Sequence, residues 1–273
     1  GGICVVSILI AALCIPMACM GAAEAEKAEK QAHAGVPEPN DFLGVTLCAD
    51  YTLVDYDQLV SYYTELAAAS SRVSMECVGE SAYGRPMYMV AVSSPENLAK
   101  LDTITANHKL LASGNLDDGT LDHILKTQPA VLFANPTMHS TEVTSAQMFP
   151  LLAYDLAVSN DSDIHRILDD VVLYFPPTNN PDGHDIVTHW YWDSLGTAWE
   201  GKSPRELYMK YCGHDNNRDY FMMNCAETRV WTGVLYRESP PLLIYDIHQM
   251  GSMGARFFVP PYYNPPNPEL TSS

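Results

Sequence analysis

Three short apolar runs constrain this chain more than any other feature: AVLFANP (130–136), VVLYFPP (171–177) and PLLIYDIHQM (241–250). Each is continuous rather than alternating, as a strand covered on both faces must be. Helical patterns separate them. Apolar residues recur at helical spacing in YDQLVSYYTELAAAS (56–70), TSAQMFPLLAYDLAVS (144–159), DIHRILD (163–169) and AETRVWTGVLYRES (226–239). Upstream, RVSMECVGES (72–81) and MYMVAVSS (87–94) flank a turn with Gly84 and Pro86, which predicts a hairpin. SPENLAKLDTITANHKLLAS (94–113) reads as one helix capped by a serine with Pro95 in its first turn, and Pro150 predicts a kink or break. The stretch 178–220 is polar and reads as loop. Strands alternating with helices predict an α/β fold: three layers, α/β/α, around a mixed, largely parallel central sheet.

This pattern has a functional consequence. In open α/β sheets ligands sit beyond the carboxyl ends of the strands. His139 and Glu142 follow the first run, TNNPDG follows the second, and His248 ends the third. Three buried strands therefore deliver polar residues to one rim. Taken alone, a histidine and a glutamate three apart describe a solvated loop as well as a metal site. Together with His248 they form two histidines and one carboxylate, a set that holds a catalytic zinc and leaves a fourth position for water. His184, His189 and His214 read as loop or surface residues, and Trp190, Trp192 and Trp199 as packing. H-x-x-E aside, the chain carries no H-E-x-x-H, nucleophile elbow or phosphate-cradling loop.

Charge excludes some partners. The chain has 273 residues and a formal net charge of −18, and its lysines and arginines form no cluster. Nucleic acid and anionic membrane surfaces both require a basic face. The first residues are a separate matter. Ile3 to Met20 is apolar, followed by small and then charged residues, which reads as an export signal over 1–25 whose start is truncated. A membrane anchor is the rival reading, since the run is just long enough to span. Residues 26–49, charged and Ala-rich at first, read as a leader, and 50–273 as the folded domain. Of seven cysteines, Cys4, Cys14 and Cys19 fall in the signal. Cys48, Cys77, Cys212 and Cys225 show no C-x-x-C spacing, and the sequence does not pair them.

Four segments in order, GESAYGRPM (79–87), HSTE (139–142), NNPDG (179–183) and GHDNNRDY (213–220), followed by YDIHQ (245–249), resemble the motifs of the M14-type zinc carboxypeptidases. The resemblance covers roughly 50–260. It implies one zinc held by His139, Glu142 and His248. It also implies Asp215 behind His139 and a grip by Asn217 and Arg218 on the carboxylate of a peptide C-terminus, the substrate. The implied activity is hydrolysis of the C-terminal peptide bond by an exported enzyme. An amidohydrolase of the same superfamily acting on cell-wall peptides or acyl amino acids, and a non-catalytic binding domain with the same fold, stay open as alternatives. The family's general-base glutamate is expected beyond residue 273, so the domain reads as incomplete at its C-terminus. Its second, carbonyl-polarising arginine has no counterpart at convincing spacing; only Arg205 lies in the window.

Overall fold

A computed structural model of the chain describes residues 35–209 and 212–251. The export signal at 1–25, the leader as far as residue 34, and residues 252–273 lie outside the described residues. No described helix is long and apolar enough to cross a membrane.

Chain order is α1 (Pro39–Leu43), α2 (Tyr56–Ala69), β1 (Val73–Glu80), β2 (Pro86–Val92), α3 (Pro95–Leu98), α4 (Leu101–Ser113) and α5 (Asp118–Thr127). It continues with β3 (Ala130–Asn135), α6 (Thr144–Val158), α7 (Ser162–Asp170), β4 (Val171–Phe175) and α8 (Pro181–Ser194). A 3-10 turn (Asn216–Arg218), α9 (Ala226–Gly233), a π-turn (Val234–Glu238) and β5 (Leu243–Asp246) complete it. The sheet runs β1-β2-β4-β3-β5. The hairpin β1–β2 is antiparallel and joins β4 antiparallel, whereas β3 pairs with both β4 and β5 in parallel. The three runs singled out in the sequence are thus the parallel part, and their carboxyl ends share one edge.

Alternation along the strands sorts side chains into two cores. Val90, Val92, Leu132, Ala134, Leu173 and Phe175 face α2 and α6, packing on Leu59, Tyr63, Leu66 and Phe149. Met89, Ala91, Val131, Phe133, Val172 and Tyr174 face the opposite way, onto Ile104 of α4 and Trp231 of α9. Helices on both faces give the three layers that the sequence predicts. Fully burying one such side chain stabilises by about 1.5–3 kcal/mol, which is why the runs tolerate no polar residue until they reach the rim.

Several local expectations change. The stretch 94–113 is two helices, α3 capped by Ser94 and α4 starting at Leu101, and α5 follows the turn at 114–117, over residues to which the sequence reading assigns no element. Pro150 sits inside an unbroken α6. The polar stretch after 178 contains α8, begun by an Asn180 cap and Pro181. Within 26–49, α1 and Leu47 pack against the first core, so packing begins before residue 50. β5 is not buried on both faces: Ile244 and Tyr245 are exposed, because beyond β3 the strand has no neighbour among the described residues.

Candidate metal centre

The site begins where β3 ends. Thr137 adopts a left-handed φ of 52°, a conformation that a β-branched residue rarely takes. Its neighbours hold it there. Its N–H donates to Ser145 Oγ at 2.8 Å, and its Oγ1 accepts from Ala146 N at 3.0 Å. The bent segment turns His139 and Glu142 outward over the first turn of α6. Gln249 then ties the end of the β5 segment to the same turn: its N–H donates to Glu142 Oε2 at 2.9 Å and its side-chain oxygen accepts from Thr144 N at 2.9 Å.

The result is a symmetric constellation. His139 Nδ1 lies 2.8 Å from Glu142 Oε1, and His248 Nδ1 lies 3.0 Å from Glu142 Oε2. The rings stand with centroids 4.8 Å apart. Ligand atoms of His139, Glu142 and His248 all fall within 4.8 Å of one another. Each outer ring nitrogen meets a carboxylate: His139 Nε2 contacts Asp215 Oδ1 at 2.9 Å, and His248 Nε2 contacts Asp246 Oδ2 at 3.0 Å. A carboxylate on Nε2 holds a proton there, so that a metal displacing the proton shared between Nδ1 and Glu142 finds the Nδ1 lone pair directed inward, the arrangement found around metal-ligating histidines. The donor set of two imidazole nitrogens and one carboxylate fits zinc.

Charge follows this geometry. Burial pushes the Asp215 carboxyl up, but the Asn217 N–H, His139 and Arg218 outweigh it and hold it below the usual range. His248 is pushed up to about 9, chiefly by its hydrogen bond to Asp246 and against its own burial.

Asp215 caps the 3-10 turn by accepting from Asn217 N at 2.8 Å. The buried Asn216 donates to Met138 O at 2.7 Å and pins this turn beside His139. Asn217 Nδ2 lies 3.3 Å from His248 Nε2. Arg218 is exposed, and no carboxylate among the described residues lies within ion-pair distance of it. A cleft of about 500 Å³ borders the cluster at Thr141 and Thr144, walled by Tyr51, Trp190 and Tyr191.

The early motif and the NPDG turn serve the scaffold. Ser81 Oγ and Tyr83 N donate to the two oxygens of Asp182 at 2.8 and 2.9 Å. Arg85 pairs with Asp185 and Asp57. Gly183 is obligatory: a Cβ there would clash with Ser140 Oγ and lie 2.5 Å from Tyr208 O.

Other expectations are corrected. His184 is not a loop or surface residue; it is fully buried on α8 with Nε2 2.9 Å from Val54 O. His189 is the surface residue expected, exposed on α8 and 3.5 Å from Asp55 Oδ2. Trp192 and Trp199 are exposed rather than packed. Arg205 lies over the Trp190 ring at 5.5 Å. Cys212 pairs with Cys225, while Cys48 and Cys77 are free thiols. Asn135 and Asn216 carry no signal that singles them out in the sequence, and Asp246 only its place two residues before His248.

The zinc carboxypeptidase family model matches residues 59–241, more than half of the chain. The chain belongs to the zinc carboxypeptidase family. Among solved structures, carboxypeptidase A from Helicoverpa armigera superposes with a TM-score of 0.50 at 17% identity, over 84% of this chain and 53% of that one. Thrombin activatable fibrinolysis inhibitor superposes with a TM-score of 0.50 at 12% identity, over 82% and 53%. At such identity the likeness is one of fold, and the chain spans about half the length of either structure. No curated protein matches.

Proposed function

We propose that this chain carries the metal-binding half of an exported, zinc-dependent metallocarboxypeptidase that removes C-terminal residues from peptides. The observation that carries the reading is the convergence of His139 Nδ1, Glu142 and His248 Nδ1 within 4.8 Å, with both outer ring nitrogens already held by carboxylates.

In this reading His139, Glu142 and His248 hold one zinc. A zinc bound there acidifies a coordinated water and polarises a carbonyl oxygen. The chain's own residues supply the rest. Asp215 and Asp246 hold the outer ring nitrogens and keep the two imidazoles turned so that Nδ1 faces the metal position. Arg218 meets the terminal carboxylate of the substrate, a planar anion that a guanidinium can grip through two parallel hydrogen bonds. Asn217, adjacent in the same turn, adds an amide donor. Selection for a free chain end makes the reaction exopeptidic.

The test compares a dipeptide blocked at its N-terminus and free at its C-terminus with the same dipeptide amidated at its C-terminus. The enzyme used carries this chain with the remainder of the family domain. Zinc-dependent release of the last residue from the free acid alone is expected. Equal cleavage of both, or none with zinc bound, would overturn the carboxypeptidase reading and favour a domain that binds without catalysing.

A further inference from the structure

The sequence motifs account for what stands behind His139 but leave the support of His248 unassigned. The structure supplies it through side chains at the ends of all three parallel strands. Asn135 and Asp246 are register partners at the last positions of β3 and β5. Asn135 Nδ2 donates to Asp246 Oδ1 at 2.8 Å. Asn179, just past β4, donates from Nδ2 to Asn135 Oδ1 at 2.8 Å. Asn179 is anchored in turn: its N–H bonds Pro136 O at 3.1 Å, and its carbonyl accepts from the fully buried Trp231 Nε1 at 2.8 Å. Both asparagines are buried.

The polarity of this row is forced. A carboxylate only accepts, so the Asn135 amide must present its nitrogen to Asp246 and its oxygen to Asn179. Asp246 Oδ2 then needs a donor, and the atom it meets is His248 Nε2. The contact from Asn217 Nδ2 to the same nitrogen is longer, 3.3 Å, and would require Nε2 to accept; a protonated Nε2 excludes it as a hydrogen bond. Every group in the row has one orientation, and its outcome is a His248 whose Nε2 carries a proton held by Asp246; at Nδ1, 3.0 Å from the acceptor Glu142 Oε2, any proton is released when a metal takes that lone pair.

We propose that Asp246, oriented by Asn135 and Asn179, is the positioning residue of the third metal ligand, fixing His248 as an Nδ1 donor through a directional row of hydrogen bonds that starts in the core. This rests on the metallocarboxypeptidase reading and adds to it the device that aims His248.

Asp246→Asn tests the row because it preserves shape and inverts polarity. If the new amide turns its oxygen to His248, its NH2 meets the Asn135 NH2, donor against donor. If it turns the other way, His248 must accept at Nε2 and carry its proton on Nδ1, where the metal belongs. Asn135→Asp combined with Asp246→Asn restores every donor–acceptor pair: the amide nitrogen introduced at position 246 meets a carboxylate at position 135, which still accepts from Asn179.

Zinc affinity is measured by chelator competition on wild type, Asp246→Asn and the double variant, with far-UV circular dichroism and the Tm of each metal-free protein recorded. Losing the group that orients a ligating histidine weakens metal binding about 10–100-fold. The expected result is such a loss in Asp246→Asn with an unchanged spectrum, and recovery of at least half of it, on a logarithmic scale, in the double variant. Wild-type affinity in Asp246→Asn would overturn the row and leave the peptidase reading intact. A folded double variant no better than the single would also overturn it. Absence of zinc from the wild type would overturn both.

Discussion

His139 and His248 come from loops more than a hundred residues apart, yet both turn Nδ1 onto one carboxylate, that of Glu142, at 2.8 and 3.0 Å. The two rings stand with centroids 4.8 Å apart, and their inner nitrogens with the carboxylate between them form the three-donor set of a metal site. His139→Ala or His248→Ala is therefore expected to abolish tight zinc binding. His189→Ala, which alters an exposed contact to Asp55, should leave it unchanged. Equilibrium dialysis with elemental analysis decides. Equal zinc content in all three variants would show that the convergence has another cause.

Arg218 is the exposed cation of the 3-10 turn that also carries Asp215. If it grips a terminal carboxylate, Arg218→Ala removes a charged hydrogen-bonding partner worth about 1.5–3 kcal/mol, or roughly ten- to a hundredfold in affinity. Arg218→Lys keeps the charge and loses the two-pronged geometry, so it should recover only part. Inhibition by an N-acyl amino acid reads this directly. The same acid esterified should bind wild type and Arg218→Ala alike, and a preference for the free acid surviving in Arg218→Ala would assign the grip to another residue.

Much of this is legible in the sequence because the signals are local. The runs at 130–136 and 171–177 are strands since burial on both faces leaves no room for alternation, and HSTE and NNR follow from their neighbours. What escapes depends on register. Asp246 looks like an ordinary polar residue at a strand end; only the pairing Asn135↔Asp246 makes it the partner of His248. A hint is present in the acid two residues before a histidine at the end of an apolar run. His184 reads as loop because the composition around it is polar, whereas the Asn180 cap, Pro181 and Gly183 start a helix that carries it inward. β5 errs in the opposite direction: an apolar run predicts cover, and the described residues cover it on one edge only.

Gly183 carries the packing of that helix start. Its missing Cβ is replaced in space by Ser140 Oγ, Tyr208 O and Asn180 Nδ2, and one of these is backbone. Gly183→Ala must push Tyr208 or α8 aside, and such overpacking costs about 1–3 kcal/mol. Urea unfolding should show this as a lowered midpoint with an unchanged slope. Ser140 follows His139 directly, so zinc affinity should fall as well, in contrast to Gly233→Ala in α9, where a Cβ meets open space and the backbone φ is negative. A Gly183→Ala chain as stable as wild type would mean that the Tyr208 segment yields freely.

His184 gives the fold a pH dependence of its own. It is fully buried, and burial, opposed by the bond to Val54 O and by Asp185 and Asp55, holds its pKa below the ordinary value. The imidazole is therefore neutral in the fold and takes up a proton on unfolding once the pH drops below about 6.5. A depressed folded pKa gives stability that is complete above the unfolded value and is lost as the pH falls through the folded one. In that window the unfolded chain binds one more proton, so stability declines by up to about 1.4 kcal/mol per pH unit from this residue. His184→Gln removes the titration. It should lower stability at pH 7.5, where the Val54 bond and the packing are disturbed, and flatten the decline between pH 6.5 and 5. Urea unfolding of both proteins across pH 5–7.5 measures the two slopes, and parallel slopes would show that the imidazole is protonated within the fold.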